Sequence, residues 1–247
     1  MKQCQSLLTP QAMPYQHLIF DLDHTLWDFD RNANRVLEQL THEFLGPFGI
    51  SFDQFMAHYT PLNAALWNDY HHHRVTKQQL RERRFPETVK ALGLREEQLH
   101  QPSVQMEQLF IERCSDMDGV FPHCHKVLDT LAKHYQLHIM TNGFAEAQHR
   151  KLRAAELEQY FEQVFISEHI GANKPSPLIF EHALKALNCP PEQCIMIGDN
   201  LHADVGGAQA SGIDQIWFNP TGLERDKDIQ PTYQIACLSE LPELLHC

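Results

Sequence analysis

The chain has 247 residues, and its composition, with 43% hydrophobic and 21% charged residues, is typical of a folded globular protein with one large or two smaller domains. The formal net charge of −12 at pH 7 repels polyanions and argues against a general nucleic acid-binding protein. No apolar run approaches the roughly 20 residues that span a bilayer, so no membrane partner is expected. The seven cysteines include no Cys-x-x-Cys pair and indicate a reduced, cytoplasmic protein.

The N-terminal segment at residues 1–16, MKQCQSLLTPQAMPYQ, contains one lysine and a short apolar stretch. It does not resemble a secretory signal, and we expect a frayed, partly ordered leader. The apolar run His17–Phe20 then stops at Asp21. This pattern predicts a buried parallel strand with carboxylates at its C-terminal end.

Apolar residues recur with helical spacing from about residue 31 to about residue 117, for example in RNANRVLEQLTHEFLG and KQQLRERRFPETVKALG. Ser51 and Thr76 are predicted to cap the N-termini of two helices. Gly46 and Gly93 are predicted to stop helices, and Pro86 is expected to kink or divide its helix.

Helices and strands are predicted to alternate after Val120. The predicted elements are a helix at 122–134, a strand at 136–140, a helix at 145–155, a strand at 164–167, a helix at 177–187, a strand at 194–197, a helix at 203–212, strands at 215–218 and 232–236, and a helix at 239–245. This alternation predicts an α/β fold with a Rossmann-like parallel sheet and right-handed crossovers. Residues 1–28 and 119–247 then form the α/β core, and residues 29–118 form an inserted all-helical cap.

Polar segments follow three of the predicted strands: DLDHT from Asp21, TNG from Thr141 and GDNLHAD from Gly198. Because ligands of an open parallel sheet bind at the carboxyl ends of its strands, we expect these segments to converge on one crevice. The carboxylates of this group are Asp21, Asp23, Asp199 and Asp204. Carboxylates packed this closely cannot all ionise without a cation, and an all-oxygen ligand set suits Mg²⁺.

A carboxylate held against a phosphorus atom can attack it and form an aspartyl-phosphate. A second carboxylic acid nearby can protonate the leaving oxygen and then deprotonate the water that hydrolyses the intermediate, which gives Asp21 and Asp23 separate roles. Thr141 and the backbone N–H groups of Asn142 and Gly143 are candidates for holding the phosphoryl oxygens. Lys174, which lies just before a predicted helix, is the candidate for the one cation from the protein.

The runs FDLDHTL, IMTNG, NKPSP and MIGDNLHAD resemble the four ordered motifs of the haloacid dehalogenase (HAD) superfamily, phosphatase branch. The resemblance covers nearly all of the chain outside the insert. It implies that Asp21 is the nucleophile and Asp23 the general acid and base. It also implies that Thr141 binds the phosphoryl group and that Lys174 steadies this group and the nucleophile.

The same resemblance implies a Mg²⁺ site in which Asp199 acts together with Asp21 and the backbone carbonyl of Asp23. Asp204 then supports the acidic cluster. The chain departs from the pattern at His24, where many members have glycine in the turn that opens toward the insert. Asp23 argues against a true haloacid dehalogenase, because those enzymes lack this second acid.

The insert lies where HAD proteins with a helical cap place it, so substrate choice is expected to reside there. The segments LWNDY, WDFD, TNGFAEAQHRKL and YFEQVFISE are similar to the bacterial house-cleaning pyrimidine 5′-nucleotidases, which implies nucleoside monophosphates as substrates. The candidates for a platform that stacks on the base are Trp67, Tyr70, Phe29 and Phe85. The alternative is that these aromatic side chains hold the cap together.

Other functions share parts of this pattern. A phosphatase of sugar phosphates or of phosphoglycolate uses the same four motifs, and a phosphorylated signalling domain also combines an aspartate, Mg²⁺ and a lysine. A catalytically idle binding partner is the third alternative, against which the full set of motif residues argues. A small phosphomonoester is the expected partner, and none of these motifs bears on the oligomeric state.

Overall fold

The computed structural model describes residues 15–72, 74–224 and 226–247, so most of the predicted leader lies outside the described residues. The chain forms two compact units. We call them the sheet unit, made of residues 15–26, Val120–Phe144 and Leu157–Cys247, and the helical unit, made of Trp27–Gly119 and Ala145–Glu156. The sequence analysis assigned residues 145–156 to the α/β core, whereas here they belong to the helical unit.

The sheet unit contains six parallel strands in the order β3-β2-β1-β4-β5-β6. The strands are β1 at His17–Phe20, β2 at Gln136–Thr141, β3 at Gln163–Ile166, β4 at Cys194–Gly198, β5 at Asp214–Phe218 and β6 at Tyr233–Ile235. The predicted α/β fold with a parallel sheet is therefore confirmed. β1 lies at the centre, and the chain passes to opposite sides of it for β2 and β4, which makes this the switch point of the sheet.

The central strand is short and buried along its whole length. Phe20 is in register with Ile139 of β2 on one side and with Ile197 of β4 on the other. Strands buried on both faces are continuous apolar runs, which is why HLIF and CIMI were recognisable in the sequence. A core that includes Ile19 and Met196 fills one face of the sheet.

Ten α-helices are present in the described residues. They are α1 at Phe29–Phe44, α2 at Phe52–His71, α3 at Lys77–Ala91, α4 at Val104–Ser115, α5 at Cys124–Leu131, α6 at Ala145–Ala154, α7 at Ser167–Ile170, α8 at Pro177–Leu187, α9 at Gly207–Ala210 and α10 at Leu241–Leu244. Helices α1 to α4 and α6 belong to the helical unit. Among the described residues, no helix is long and apolar enough to cross a lipid bilayer.

The helical unit has the predicted caps. Ser51 and Thr76 each accept a hydrogen bond from the backbone three residues on, and Gln54 and Gln79 complete two capping boxes. Stacked and tilted aromatic rings, which include Phe55 and Phe85, pack inside this unit.

Three local predictions hold only in part. Pro86 does not divide its helix, because α3 continues from Lys77 to Ala91, and the alternative of a kink at Pro86 stays a prediction. Gly93 takes the left-handed conformation after α3 (φ +80°). α1 ends at Phe44, and Gly46 follows its C-cap but begins a short 3₁₀ turn that ends at the left-handed Gly49 (φ +74°). The helix predicted at 203–212 is instead a π-helical turn at Leu201–Gly206 followed by the short helix α9.

Candidate active site

Asp21, Thr141 and Asp199 lie at the carboxyl ends of three neighbouring strands, β1, β2 and β4. The backbone N–H of Asp21 donates to the Ile197 carbonyl at 2.8 Å, so the pairing of β1 with β4 continues as far as this residue. Asp21 and Thr141 are buried. The polar segments that follow these strands therefore meet at one edge of the sheet.

Lys174 lies in the loop between α7 and α8 and directs its ammonium group at two carboxylates. Nζ is 2.6 Å from Asp21 Oδ1 and 2.7 Å from Asp204 Oδ1, and it donates a hydrogen bond of 2.8 Å to the Met140 carbonyl. Burial lowers the pKa of this ammonium, but Asp204 and Asp21 outweigh burial and hold the pKa above its ordinary value. Lys174 is therefore a charged group fixed beside Asp21.

Asp199 is oriented by two side chains. The Thr25 hydroxyl donates to Asp199 Oδ1 at 3.2 Å and accepts from the Asp199 backbone N–H at 3.0 Å. Trp217 Nε1 donates to the Asp199 carbonyl at 2.8 Å from the neighbouring strand β5. Backbone and carboxylate of Asp199 are thus both held, so the direction of the carboxylate is set before any ligand binds.

Asp204 reaches the cluster from the π-helical turn, and its Oδ2 accepts a hydrogen bond of 3.0 Å from the Asn200 backbone N–H. This carboxylate packs directly on Gly198. A Cβ at position 198 would lie 2.3 Å from Asp204 Oδ2, far inside van der Waals contact. The last residue of β4 is therefore glycine because the carboxylate of Asp204 occupies the place of a side chain.

The cluster has more negative than positive groups. Burial raises the pKa of Asp21 well above its ordinary value, Lys174 lowers it in part, and Asp204 and Asp199 raise it further. Burial, followed by Asp204, raises the pKa of Asp199 to about 7, although Lys174 and the Thr25 hydrogen bond oppose the shift. One ammonium group does not balance three neighbouring carboxylates when all are ionised, so the cluster could hold a further cation.

The donor set fits a hard divalent cation. One carboxylate oxygen from each of Asp21, Asp199 and Asp204 lies within 4.8 Å of the others. All three donors are oxygens, the ligand type that Mg²⁺ takes in proteins. Asp23, predicted to add its backbone carbonyl, follows Asp21 by two residues and is half-buried. Its role as a ligand and as an acid remains a prediction.

The segment after β2 is held by hydrogen bonds between side chains and the backbone. Thr141 Oγ1 accepts a hydrogen bond of 3.0 Å from the Gly143 N–H. The Asn142 side chain pairs with the backbone of Lys174, donating to its carbonyl at 2.9 Å and accepting from its N–H at 2.8 Å. Thr141, Asn142, Gly143 and Lys174 thus form one connected group, and their predicted contact with a phosphoryl group remains a prediction.

His24 has a left-handed backbone conformation, with φ +63°. Residues other than glycine, asparagine and aspartate adopt this conformation only at a cost of about 1–2 kcal/mol. The turn between Asp23 and Thr25 therefore gives a physical reason why glycine is favoured at this position. In this chain a histidine side chain is retained there in spite of the backbone cost.

Phe85, one of the four candidates for base recognition, is fully buried among aromatic rings, so it packs the helical unit and does not stack on a base. Trp67 and Tyr70, two further candidates, lie on α2 of the helical unit. Their rings pack edge to face with centroids 5.7 Å apart, and both side chains are half-buried. This contact agrees with either of the two roles considered for them, and base binding by these residues remains a prediction.

Sequence reasoning did not single out Thr25, Trp217 and the side chain of Asn142 as parts of the site. Thr25 was visible in the motif FDLDHTL and lies two residues from Asp23. Trp217 is in register with Gly198, the residue before Asp199, so only the order of strands in the sheet reveals its role.

A model of the haloacid dehalogenase-like hydrolases matches residues 15–212. The match covers both the strands that carry the acidic cluster and the helical unit. The chain therefore belongs to the haloacid dehalogenase-like hydrolases.

Among characterised relatives, the chain is 35% identical over 236 residues to the pyrimidine 5′-nucleotidase PynA of Streptococcus pneumoniae, covering 94% of this chain and 96% of PynA. It is 28% identical over 235 residues to the pyrimidine 5′-nucleotidase YjjG of Escherichia coli, covering 94% of this chain and 99% of YjjG. Together with the family match, these relatives identify the chain as a HAD-type phosphatase that resembles the nucleotidases.

The HAD-hydrolase YfnB of Bacillus subtilis has a similar solved structure, with a TM-score of 0.83, 27% identity, and coverage of 94% of this chain and 99% of YfnB. The YfnB structure was determined with bound magnesium. A haloacid dehalogenase from Xanthobacter autotrophicus shares the fold alone, with a TM-score of 0.73 at 17% identity over 94% of this chain and 98% of the dehalogenase.

Proposed function

We propose that the chain hydrolyses the 5′-phosphate ester of nucleoside monophosphates, with a preference for pyrimidine nucleotides, and that Asp21 is phosphorylated during the reaction. The observation that supports the chemistry is the buried ion pair of Asp21 with Lys174, set among Asp199 and Asp204. The similarity to two pyrimidine 5′-nucleotidases over nearly the whole chain supports the substrate class.

In the first step a carboxylate oxygen of Asp21 attacks phosphorus and the bond from phosphorus to the nucleoside oxygen breaks. The protonated Asp23 gives its proton to that leaving oxygen, so a neutral nucleoside departs. Lys174 holds Asp21 in position and offsets the negative charge that the incoming phosphate brings.

In the second step the Asp23 carboxylate takes a proton from a water molecule, which attacks the phosphorus of the aspartyl-phosphate. The bond from phosphorus to Asp21 breaks, inorganic phosphate leaves, and both aspartates return to their starting state. Thr141 and the N–H groups of Asn142 and Gly143 are proposed to bind the phosphoryl oxygens.

Asp21, Asp199 and the backbone carbonyl of Asp23 are proposed to hold Mg²⁺, with Asp204 in support. When bound, the ion supplies positive charge that neutralises the carboxylates and polarises the phosphoryl group. The excess of carboxylates over ammonium groups in the cluster supports this assignment.

Trp67 and Tyr70 are proposed to select the base, because aromatic stacking contributes about 1–3 kcal/mol per base. Substitution of Trp67 by Leu should raise KM for nucleotides and leave kcat/KM for a phosphate ester without a base, such as p-nitrophenyl phosphate, unchanged. An equal loss for both substrates would show that the ring only supports the helical unit.

The function is tested by measuring phosphate release with and without Mg²⁺ from pyrimidine nucleotides, purine nucleotides, sugar phosphates and phosphoglycolate. We expect Mg²⁺-dependent release that is fastest with pyrimidine nucleotides. The variant Asp21→Asn should lose at least about a thousandfold in kcat, as other nucleophile deletions do. Asp53→Asn, which makes the same change at an exposed position of α2, is the matched control and should keep full activity.

Fastest release from sugar phosphates would retain the phosphatase and reject the nucleotidase. Full activity of Asp21→Asn would reject the proposed nucleophile, and full activity of the wild type without divalent metal would reject the metal assignment. A phosphorylated protein without turnover would favour the signalling alternative.

A further inference from the structure

We infer that the side chain of Asn142 is a positioning residue that holds Lys174 in place for the reaction; this inference rests on the proposed function. Lys174 lies in the loop at residues 171–176 rather than in a strand. Both of its backbone polar groups are nevertheless satisfied by one side chain. Its N–H donates to Asn142 Oδ1 at 2.8 Å, and its carbonyl accepts from Asn142 Nδ2 at 2.9 Å.

The contact of Asn142 with Lys174 is attached to a strand that is hydrogen-bonded on both sides. Asn142 directly follows β2, which is paired with β1 on one side and with β3 on the other. Thr141, the last residue of β2, is still in register with Ile166 of β3. The Asn142 side chain therefore attaches the loop at residues 171–176, which carries Lys174, to the end of an interior strand of the sheet.

The same stretch of chain also contacts the far end of the lysine. Lys174 Nζ donates to the Met140 carbonyl at 2.8 Å, two residues before Asn142. Both the backbone and the ammonium group of Lys174 are thus bound to residues 140–142. With the lysine bound at both ends, its ammonium group lies 2.6 Å from Asp21 Oδ1.

The amide matches this pair of partners, because it offers one donor and one acceptor on separate atoms. Aspartate would accept from the Lys174 N–H but would repel its carbonyl, and alanine or leucine would leave both groups unpaired. Displacement of a charged group by about 1 Å from the productive geometry can cost about a hundredfold in rate. The loss of Asn142 should therefore act on the reaction through Lys174.

The chain contains a matched control for this geometry. Asn219 follows β5 as Asn142 follows β2, and it makes the same pair of contacts with Leu223: Nδ2 donates to the carbonyl at 2.9 Å and Oδ1 accepts from the N–H at 2.8 Å. Asn219→Ala removes an equivalent pair of hydrogen bonds from the same unit, but the residue that Asn219 holds is an uncharged leucine.

The experiment compares Asn142→Ala with Asn219→Ala in the full chain. We expect Asn142→Ala to lower kcat/KM for thymidine 5′-monophosphate by about tenfold to a hundredfold, and Asn219→Ala to leave it unchanged. In each variant, hydrogen exchange should accelerate at the amide that has lost its acceptor, that of Lys174 in the first and that of Leu223 in the second. Circular dichroism shows whether both variants are folded.

A double-mutant cycle separates positioning from general loosening. In a Lys174→Met background, Asn142→Ala should cause no further loss of kcat/KM, because the group it positions is absent. A full additional loss would overturn the inference. So would an equal loss in Asn219→Ala, or faster exchange at Lys174 with unchanged kcat/KM.

Failure of the proposed function has a different signature. If the wild type releases phosphate from no ester, the proposed function fails, and the inference is then judged on inorganic phosphate binding measured by calorimetry in the presence of Mg²⁺. Weaker phosphate binding in Asn142→Ala than in Asn219→Ala would support the positioning role. Equal binding in wild type and Asn142→Ala would overturn it.

Discussion

Both units of the molecule bury charged side chains, but they balance them differently. In the helical unit, the Arg84 guanidinium forms a two-point contact with Glu107, at 2.9 and 2.7 Å, and donates to Asn63 at 3.3 Å. The rings of Phe85 and Phe110 lie 5.5 and 4.8 Å from its central carbon. One positive charge meets one negative charge here, and aromatic faces surround the pair.

In the sheet unit, one ammonium group is shared by two carboxylates, and a third carboxylate lies beside them. The pKa values reflect the difference. Burial lowers the pKa of Arg84, but Tyr59 and Glu107 outweigh it and raise that pKa, so the guanidinium stays charged. The pKa values of Asp21 and Asp199 are raised, so ionisation of these carboxylates is disfavoured until a cation arrives.

The comparison separates two uses of buried charge. A balanced pair with complete hydrogen bonding serves the packing of its own unit. An unbalanced cluster costs stability and persists where a ligand supplies the missing charge, which is the pattern of functional sites. The proposed active site therefore differs from the Arg84 pair in its excess of carboxylates over cationic groups and not in burial alone.

The largest stability effect is expected where the balanced pair is broken. Arg84→Met should lower the free energy of unfolding by about 3–5 kcal/mol, because it leaves the Glu107 carboxylate buried without its partner. The double variant Arg84→Met/Glu107→Leu should recover most of that loss, because no buried charge remains. Urea denaturation followed by circular dichroism measures both.

Asp21→Asn provides the opposite case in the sheet unit. It removes a carboxylate from the unbalanced cluster while Lys174 keeps Asp204 as its partner. In metal-free buffer above pH 7, the free energy of unfolding should therefore stay the same or rise. A loss as large as that of Arg84→Met would show that the two clusters are energetically alike, contrary to the comparison.

A second prediction concerns the competition between protons and metal at Asp199. Its pKa is about 7 in the folded chain and 3.8 ordinarily, so its contribution to stability without metal is fully present below about pH 4 and is lost as pH rises through about 7. Divalent metal needs the ionised carboxylate. The Mg²⁺ affinity should therefore rise by about tenfold for each pH unit below about 7 and then level off.

Calorimetric titration with Mg²⁺ at several pH values measures this dependence, and Asp199→Asn should reduce it to the part that Asp21, whose pKa is also raised, contributes. Glu146 of the helical unit is an example of a carboxylate that should not contribute to this pH dependence of the Mg²⁺ affinity. Burial raises its pKa, but contacts with Lys77 and Arg81 prevail and lower the pKa to about 2, so Glu146 does not titrate in the same range. An affinity independent of pH would contradict the assignment of Asp199.

The sequence predicted most of the sheet because its central strands, β1, β2 and β4, contain short apolar runs that end at a polar segment. The same logic placed Asp21, Thr141 and Asp199 at one edge. It missed contacts between residues far apart in the chain, such as that of Trp217 with the Asp199 carbonyl, because these depend on strand order and register.

Two other differences between the sequence-based prediction and the structure concern the turn that carries Asp204 and the helix α6. The small residues of ADVGGAQASG are compatible with an ordinary helix, and the sequence alone does not show the wider π-helical turn that carries Asp204. The amphipathic pattern of α6 predicted the helix, but which unit it packs in depends on partners such as Trp27, whose ring lies 4.3 Å from Lys151 Nζ.

The smallest expected change in the free energy of unfolding comes from two residues with a left-handed backbone conformation, one in each unit. His24, with φ +63°, lies in the site turn, and Glu156, with φ +52°, follows α6 in the helical unit. Replacement of either by glycine removes backbone strain but adds entropy to the unfolded chain. The free energy of unfolding should therefore rise by about 0.5–1 kcal/mol in each variant, measured by urea denaturation.

The two variants should differ in catalysis. Glu156→Gly should leave kcat/KM at the wild-type value, since Glu156 follows α6 in the helical unit and is not one of the proposed site residues. His24→Gly should lower it, because a freer backbone between Asp23 and Thr25 loosens the turn that orients the acid and, through Thr25, Asp199. A residue whose strained backbone serves the reaction is expected to gain stability but lose activity when it is replaced by glycine. If His24→Gly is both more stable and fully active, the histidine conformation has no role in the reaction.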